Sequence, residues 1–194
     1  ERLKLLRQTL PTMPILPTDL FSRGSDIDWD TFKHTTPDTY AHHYAEVLDL
    51  KVNAPTGNYD VVAATNWRSH PTSRSIGFAD KLGLSDTDPF VVFDFWNQRL
   101  LGIFRQKIDV AIEPQDTRVL LIHPLTDHPQ LVGISRHISG AFSVERYQWD
   151  GAARRLSGLS ETIAGERYTL TLYVPGRDHF QRATATCGGR AIPV

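Results

Sequence analysis

At 194 residues, with 40% hydrophobic and 22% charged side chains, the chain has room for one large domain, or one domain with an appendage, and can bury a core without staples. A formal net charge of −1 and a pI near 6.8 give no electrostatic footprint for a nucleic-acid backbone or an anionic membrane, so neither partner is expected. The single cysteine, Cys187, excludes an internal disulfide framework and a multi-cysteine zinc site, and leaves the compartment open.

In chain order, "ERLKLLRQTL" places Leu3, Leu6 and Leu10 at i, i+3 and i+7, the stripe of an amphipathic helix, which Pro11 ends. No Ser, Thr, Asp or Asn stands ahead of Glu1 as a cap, and a helix of about three turns does not hold itself. The chain is therefore expected to be cut from a longer protein. From Pro11 to Pro55 the pattern is irregular, with prolines at 11, 14 and 17 that forbid regular helix, and it reads as connecting structure. Within it, "SDIDWD" spaces Asp26, Asp28 and Asp30 like the first half of a calcium loop. Thr31 stands where the turn needs Gly and Pro37 where a bidentate Glu should close the shell, so a solvated loop is expected. The adjacent His42 and His43 lack a helical metal spacing.

After "NAPTGN" the rhythm becomes short apolar runs broken by turn residues. Strands are predicted near 59–67, 74–79, 90–96, 99–104, 107–113, 117–123, 131–138, 142–149, 154–160, 167–174 and 179–186. In "RYTLTLYV" the alternation predicts a buried face of Tyr168, Leu170, Leu172 and Val174, and in "IDVAIE" one of Ile108, Val110 and Ile112. No long helical pattern separates these strands, which disfavours parallel βαβ units. The expected fold is all-β, an antiparallel β-sandwich preceded by a short helical and irregular N-terminal segment.

"DPFVVFDFWNQRLLGIF" contains the most suggestive carboxylate, Asp94, flanked by Phe93 and Phe95. A carboxyl desolvated by phenyl rings has the raised pKa of a general acid, but glycosidases need two such groups, and buried carboxylates usually have partners. The strand pattern puts Asp94 on one face with Phe90, Val92 and Trp96, turns the chain at Asn97 and Gln98, and offers Arg99 as a cross-strand or diagonal partner. "GISRH" around Ser135 lacks the second Gly of a nucleophile elbow, having His137 there instead. His123 and His128 straddle "PLTD" without metal spacing, and Cys187 has no adjacent base. Trp67, Trp96 and Trp149 fall at or near strand ends, with Trp29 in the irregular segment; indoles so placed either pack core ends or stack on sugar rings.

Four stretches together, "ERLKLLRQTLP", "VLDLKVNAPTGNYDVVAATNW", "FVVFDFWNQRLLGIF" and "HPQLVGISRHISGAF", resemble the C-terminal part of α-galactosidase (melibiase)-like glycoside hydrolases. The resemblance implies a catalytic (β/α)₈ barrel followed by an antiparallel sandwich. Residues 1–57 would then be a remnant of the barrel with the inter-domain connection, and 58–194 the sandwich. It implies a retaining mechanism in the parent enzyme whose nucleophile and acid/base Asp come from earlier barrel strands. No catalytic, cofactor-binding or metal-ligating residue is therefore assigned to this chain. The expected partner is the barrel of the parent chain. The alternative is a carbohydrate-binding module using Trp67, Trp96 and Trp149, and a third reading is a small autonomous enzyme built on Asp94.

Overall fold

The structure is a computed structural model and describes residues 2–9, 16–17, 45–176 and 184–194. Asp26, Asp28, Asp30, Trp29, His42, His43 and most of the strand predicted at 179–186 lie outside the described residues. The described elements are α1 (Arg2–Thr9), β1 (Leu16–Pro17), β2 (Val47–Ala54), β3 (Gly57–Thr65), β4 (Thr72–Gly77), α2 (Phe78–Leu82), β5 (Phe90–Asp94), β6 (Arg99–Phe104), β7 (Lys107–Ile112) and β8 (Thr117–Pro124). They continue with β9 (Gln130–Ile134), β10 (Val144–Asp150), β11 (Arg155–Ser160), β12 (Leu170–Tyr173), β13 (Ala185–Cys187) and β14 (Arg190–Ile192). Every strand pairing is antiparallel, so the fold is all-β as expected.

A six-stranded sheet in the order β1-β2-β3-β8-β5-β6 organises the rest. β5, "FVVFD", is buried at every position, because apolar cores cover both faces of the sheet there. On one face Val62, Phe90, Val92, Leu120 and Ile122 meet Ile76 of β4, Ile108, Val110 and Ile112 of β7, and Phe78 and Leu82 of α2. On the other, Val61, Val91, Phe93, Val119 and Leu121 meet Leu131, Val132 and Ile134 of β9 with Ala141 and Val144. β7 alternates buried and exposed as its sequence predicted.

The structure corrects three sequence readings. Val47–Ala54, read as connecting structure, is a strand paired with β3 through all eight residues from Val47↔Ala64 to Ala54↔Gly57. The two-residue Pro55-Thr56 turn and the positive φ of Gly57 (111°) close that hairpin, a turn signal taken in the sequence for a boundary. Ahead of "KLG" the strand predicted at 74–79 ends early in α2, which Gly83 stops in the left-handed region (φ 64°) with its N–H donated to the Ala79 carbonyl at 3.1 Å. Lastly, Leu170, Leu172 and Val174 point outward while Tyr173 packs on the second core. Ser135 Oγ takes the Thr169 N–H in place of a ladder carbonyl, and the β12–β9 pairing shifts between Thr171 and Leu172. Tyr168 packs on the second core as predicted, but the strand after it alternates in the opposite phase, with Leu170 and Leu172 exposed and Thr171 and Tyr173 half-buried.

Candidate functional site

Asp94 ends β5 on the face of the first core and is fully buried. Its Oδ1 accepts the Asn97 N–H at 3.1 Å, and its Oδ2 accepts Asn97 Nδ2 at 2.9 Å and the guanidinium of Arg118. Arg99 stands opposite Asp94 in the β5–β6 ladder, yet the ion pair runs the other way, to β8. There Leu120 opposes Asp94, so Arg118, two residues earlier on the same face, is the diagonal neighbour. The expectation of a local partner holds; its identity as Arg99 does not. With both oxygens engaged, Asp94 is a strut between the turn at Asn97 and β8.

A second charged group closes the other end of the same core. Lys51 Nζ of β2 reaches Asp49 Oδ2 at 2.9 Å and Asp60 Oδ2 of β3 at 2.6 Å, and donates to the Leu82 carbonyl at the end of α2. Both carboxylates are buried. Burial raises the pKa of Asp60 to about 6, helped by the Asp49 charge against the pull of Lys51, and burial likewise raises that of Asp49. This cluster was missed in the sequence, although its signal is there: Lys51 and Asp60 lie equidistant from the Pro55-Thr56 turn and so must face each other in any tight hairpin. A third pair of links joins Glu46 to Arg68 at 2.6 Å and to Arg74 of β4.

The histidines and hydroxyls are absorbed by the second core. His123 stacks on Tyr59 with ring centroids 4.1 Å apart, and its Nε2 lies 3.1 Å from the Val132 carbonyl. Burial lowers its pKa to about 4. Ser135 Oγ accepts the Thr169 N–H at 2.9 Å, and His137 Nδ1 lies 2.8 Å from Ser139 Oγ rather than near Ser135. Cys187 is exposed in the β13–β14 hairpin.

The three indoles are not gathered in one place. Trp67 follows β3 and Trp96 follows β5, both leaving the sheet at the end where β8 begins, with β8 between them. They are 38% and 41% exposed; Trp67 Nε1 donates to the Ala45 carbonyl at 3.1 Å, and Trp96 meets Phe95 edge-on at 4.9 Å. Trp149 of β10 lies instead beside the β8–β9 connection, partly buried and parallel to His128 at 5.4 Å.

α1 lies against the loop after β9. Gln8 accepts the Ile138 N–H on its carbonyl at 2.9 Å and donates Nε2 to the Ser135 carbonyl at 2.9 Å, while Arg7 pairs with Glu166 at 2.7 Å. Leu3, Leu5 and Leu6 remain exposed, and a groove of about 420 Å³ runs between Leu3, Leu6, Phe142 and Ile163.

No family model and no curated protein matches the sequence. Among solved structures the chain is similar to a GH27 β-L-arabinopyranosidase of Geobacillus stearothermophilus in complex with arabinose, at 16% identity over 52% of this chain and 25% of that one, with a TM-score of 0.36. It is also similar to α-galactosidase I of Mortierella vinacea, at 21% identity, 41% of this chain and 21% of that one, TM-score 0.34. A third similarity is to the isomalto-dextranase of Arthrobacter globiformis complexed with panose, at 21% identity, 45% of this chain and 14% of that one, TM-score 0.36. The chain thus spans a quarter or less of the length of these proteins.

Proposed function

We propose that this chain is the C-terminal accessory β-sandwich portion of a retaining α-galactosidase-like glycoside hydrolase, that it lacks the catalytic carboxylates, and that it supports the barrel domain. The carrying observation is the engagement of its buried carboxylates: Asp94 by Arg118 and Asn97, and Asp49 and Asp60 by Lys51. A retaining site needs two carboxyl groups facing the same sugar across about 5 Å, one free to attack and one free to give a proton. These carboxylates instead tie strands together at the two ends of one apolar core. The sequence stretches that resemble the α-galactosidase C-terminal region support the choice of parent.

On this reading residues 1–57 carry the barrel remnant and the connection, whose last strand, β2, is built into the sandwich sheet, and α1 with its outward leucines belongs to the contact with the barrel. An inter-domain contact of roughly 600–1,500 Å² would cover them. The coding sequence upstream of Glu1 tests the assignment. Alternating strands and helices with Asp residues at strand ends are expected there, and a start codon immediately before Glu1 would overturn it.

The half-exposed Trp67 and Trp96 at one end of the sheet favour a second reading, carbohydrate recognition by the sandwich. Titration with galacto-oligosaccharides should then change tryptophan emission. Unchanged emission, with all indoles shielded from acrylamide, would eliminate it.

A further inference from the structure

Asp60 and His123 sit on adjacent rungs of one ladder. β3 and β8 pair with Asp60 opposite Ile122, so His123 is the next residue along β8, and Tyr59, which stacks on it, is the residue before Asp60. Side chains alternate along a strand, and the two groups therefore face opposite cores of the central sheet. On the first face, two carboxylates whose side chains are only 3% and 4% exposed share the ammonium of Lys51, itself 46% exposed, which leaves the group one negative charge in excess. One proton would neutralise it. On the second face the His123 imidazole is buried between the Tyr59 ring and the Val132 carbonyl; burial penalises its imidazolium, and the carbonyl, which accepts from the ring N–H, offsets only part of that.

We propose that these two groups form an opposed proton pair across the central sheet: on folding in mild acid the Asp49–Asp60–Lys51 cluster takes up a proton while His123 gives one up, so that their contributions to the pH dependence of stability oppose each other. Around the cluster, β8 presents Ile122, and α2 presents the Leu82 carbonyl, with Asp80 and Lys81 exposed on its surface. Around His123, β5 presents Val91 and β9 the Val132 carbonyl. The titratable side chains packed against that core are Tyr59, Tyr147, Tyr168 and Tyr173, with His137 buried in the loop after β9.

The directions follow from linkage. Asp60 is held at about 6 in the fold against 3.8 in its ordinary state, so the folded chain binds the extra proton and its stability rises as pH falls through 6. His123 is held at about 4 against 6.5, so the unfolded chain binds the extra proton and stability is lost as pH falls below 6.5. Between pH 5 and 6 the two effects run against each other, at about 0.7 proton for Asp60 and about 0.9 for His123.

Urea unfolding of the full chain and of Asp60→Asn and His123→Gln, at constant ionic strength, tests the pair. From pH 6 to pH 5 the unfolding constant should change by less than about twofold in the native chain, rise about sevenfold in D60N and fall about fivefold in H123Q. Equal slopes in all three chains, or a native slope as steep as either variant's, would overturn the proposal. Should a variant fail to fold, carbon NMR titration of the native chain reads the same two groups. The Asp60 carboxyl should then titrate near 6 and the His123 ring stay neutral to about 4. Ordinary carboxylate titration of Asp60, or an imidazolium at His123 above pH 5, would refute it.

Discussion

Removing one member of a buried ion pair leaves the other charged and desolvated, which costs about 3–5 kcal/mol, whereas replacing both by well-packed apolar groups is often neutral. Asp94 and Arg118 meet that description on the carboxylate side, with Arg118 a quarter exposed. Arg118→Met should therefore destabilise the domain by about 3 kcal/mol, discounted towards the lower figure for that exposure, while the double change Asp94→Leu with Arg118→Met should recover most of the loss. Urea denaturation of the two variants checks the coupling; equal losses in both would show that packing rather than charge dominates. A residue in "FVVFDFW" that looks poised for acid catalysis is thus read best by asking what satisfies it. The sequence made its burial and its need for a local partner legible. It did not choose between Arg99 and Arg118, because that depends on which strand lies on each side of β5, a pairing that spans 24 residues to β8.

Elements follow the same rule, with local signals surviving and long-range ones hidden. β7 and β5 were legible because one alternates and the other is continuously apolar. β2 was masked by its acidic and basic side chains, Asp49 and Lys51, which are explicable only once Asp60 is placed opposite. β12 was misread because its facing is set by contacts with Ser135 and β9 rather than by its own pattern. β9 carries a further constraint: a Cβ on Gly133 would come within 2.4 Å of the Phe93 ring, where β9 crosses β5. Gly133→Ala should cost about 1–3 kcal/mol through overpacking, and Gly165→Ala, where nothing lies within 4 Å, should show no such clash and only the smaller backbone penalty of its positive φ. Thermal unfolding of both separates crowding from backbone strain.

For the whole molecule, charge and apolar surface divide the work. Ion pairs close both ends of the first core, while the leucines of α1 border a groove that the sandwich does not fill. On the proposed reading that groove belongs to the barrel contact. Leu3→Glu with Leu6→Glu should then change the stability of the isolated domain by about 0.5 kcal/mol or less, since both side chains are exposed, yet weaken the parent enzyme's thermal stability. A large loss in the isolated domain would place those leucines in its own core instead. The proposed place of the chain in a glycoside hydrolase, in contrast, rests on resemblance: among the described residues the two buried carboxylates that do meet, Asp49 and Asp60, are held by the Lys51 ammonium. Hydrolysis of an aryl α-galactoside by the purified chain, alongside Asp94→Asn, is the most direct measurement of that central claim. No turnover above buffer is expected from either protein; turnover comparable with that of a full-length α-galactosidase and abolished by D94N would overturn the assignment.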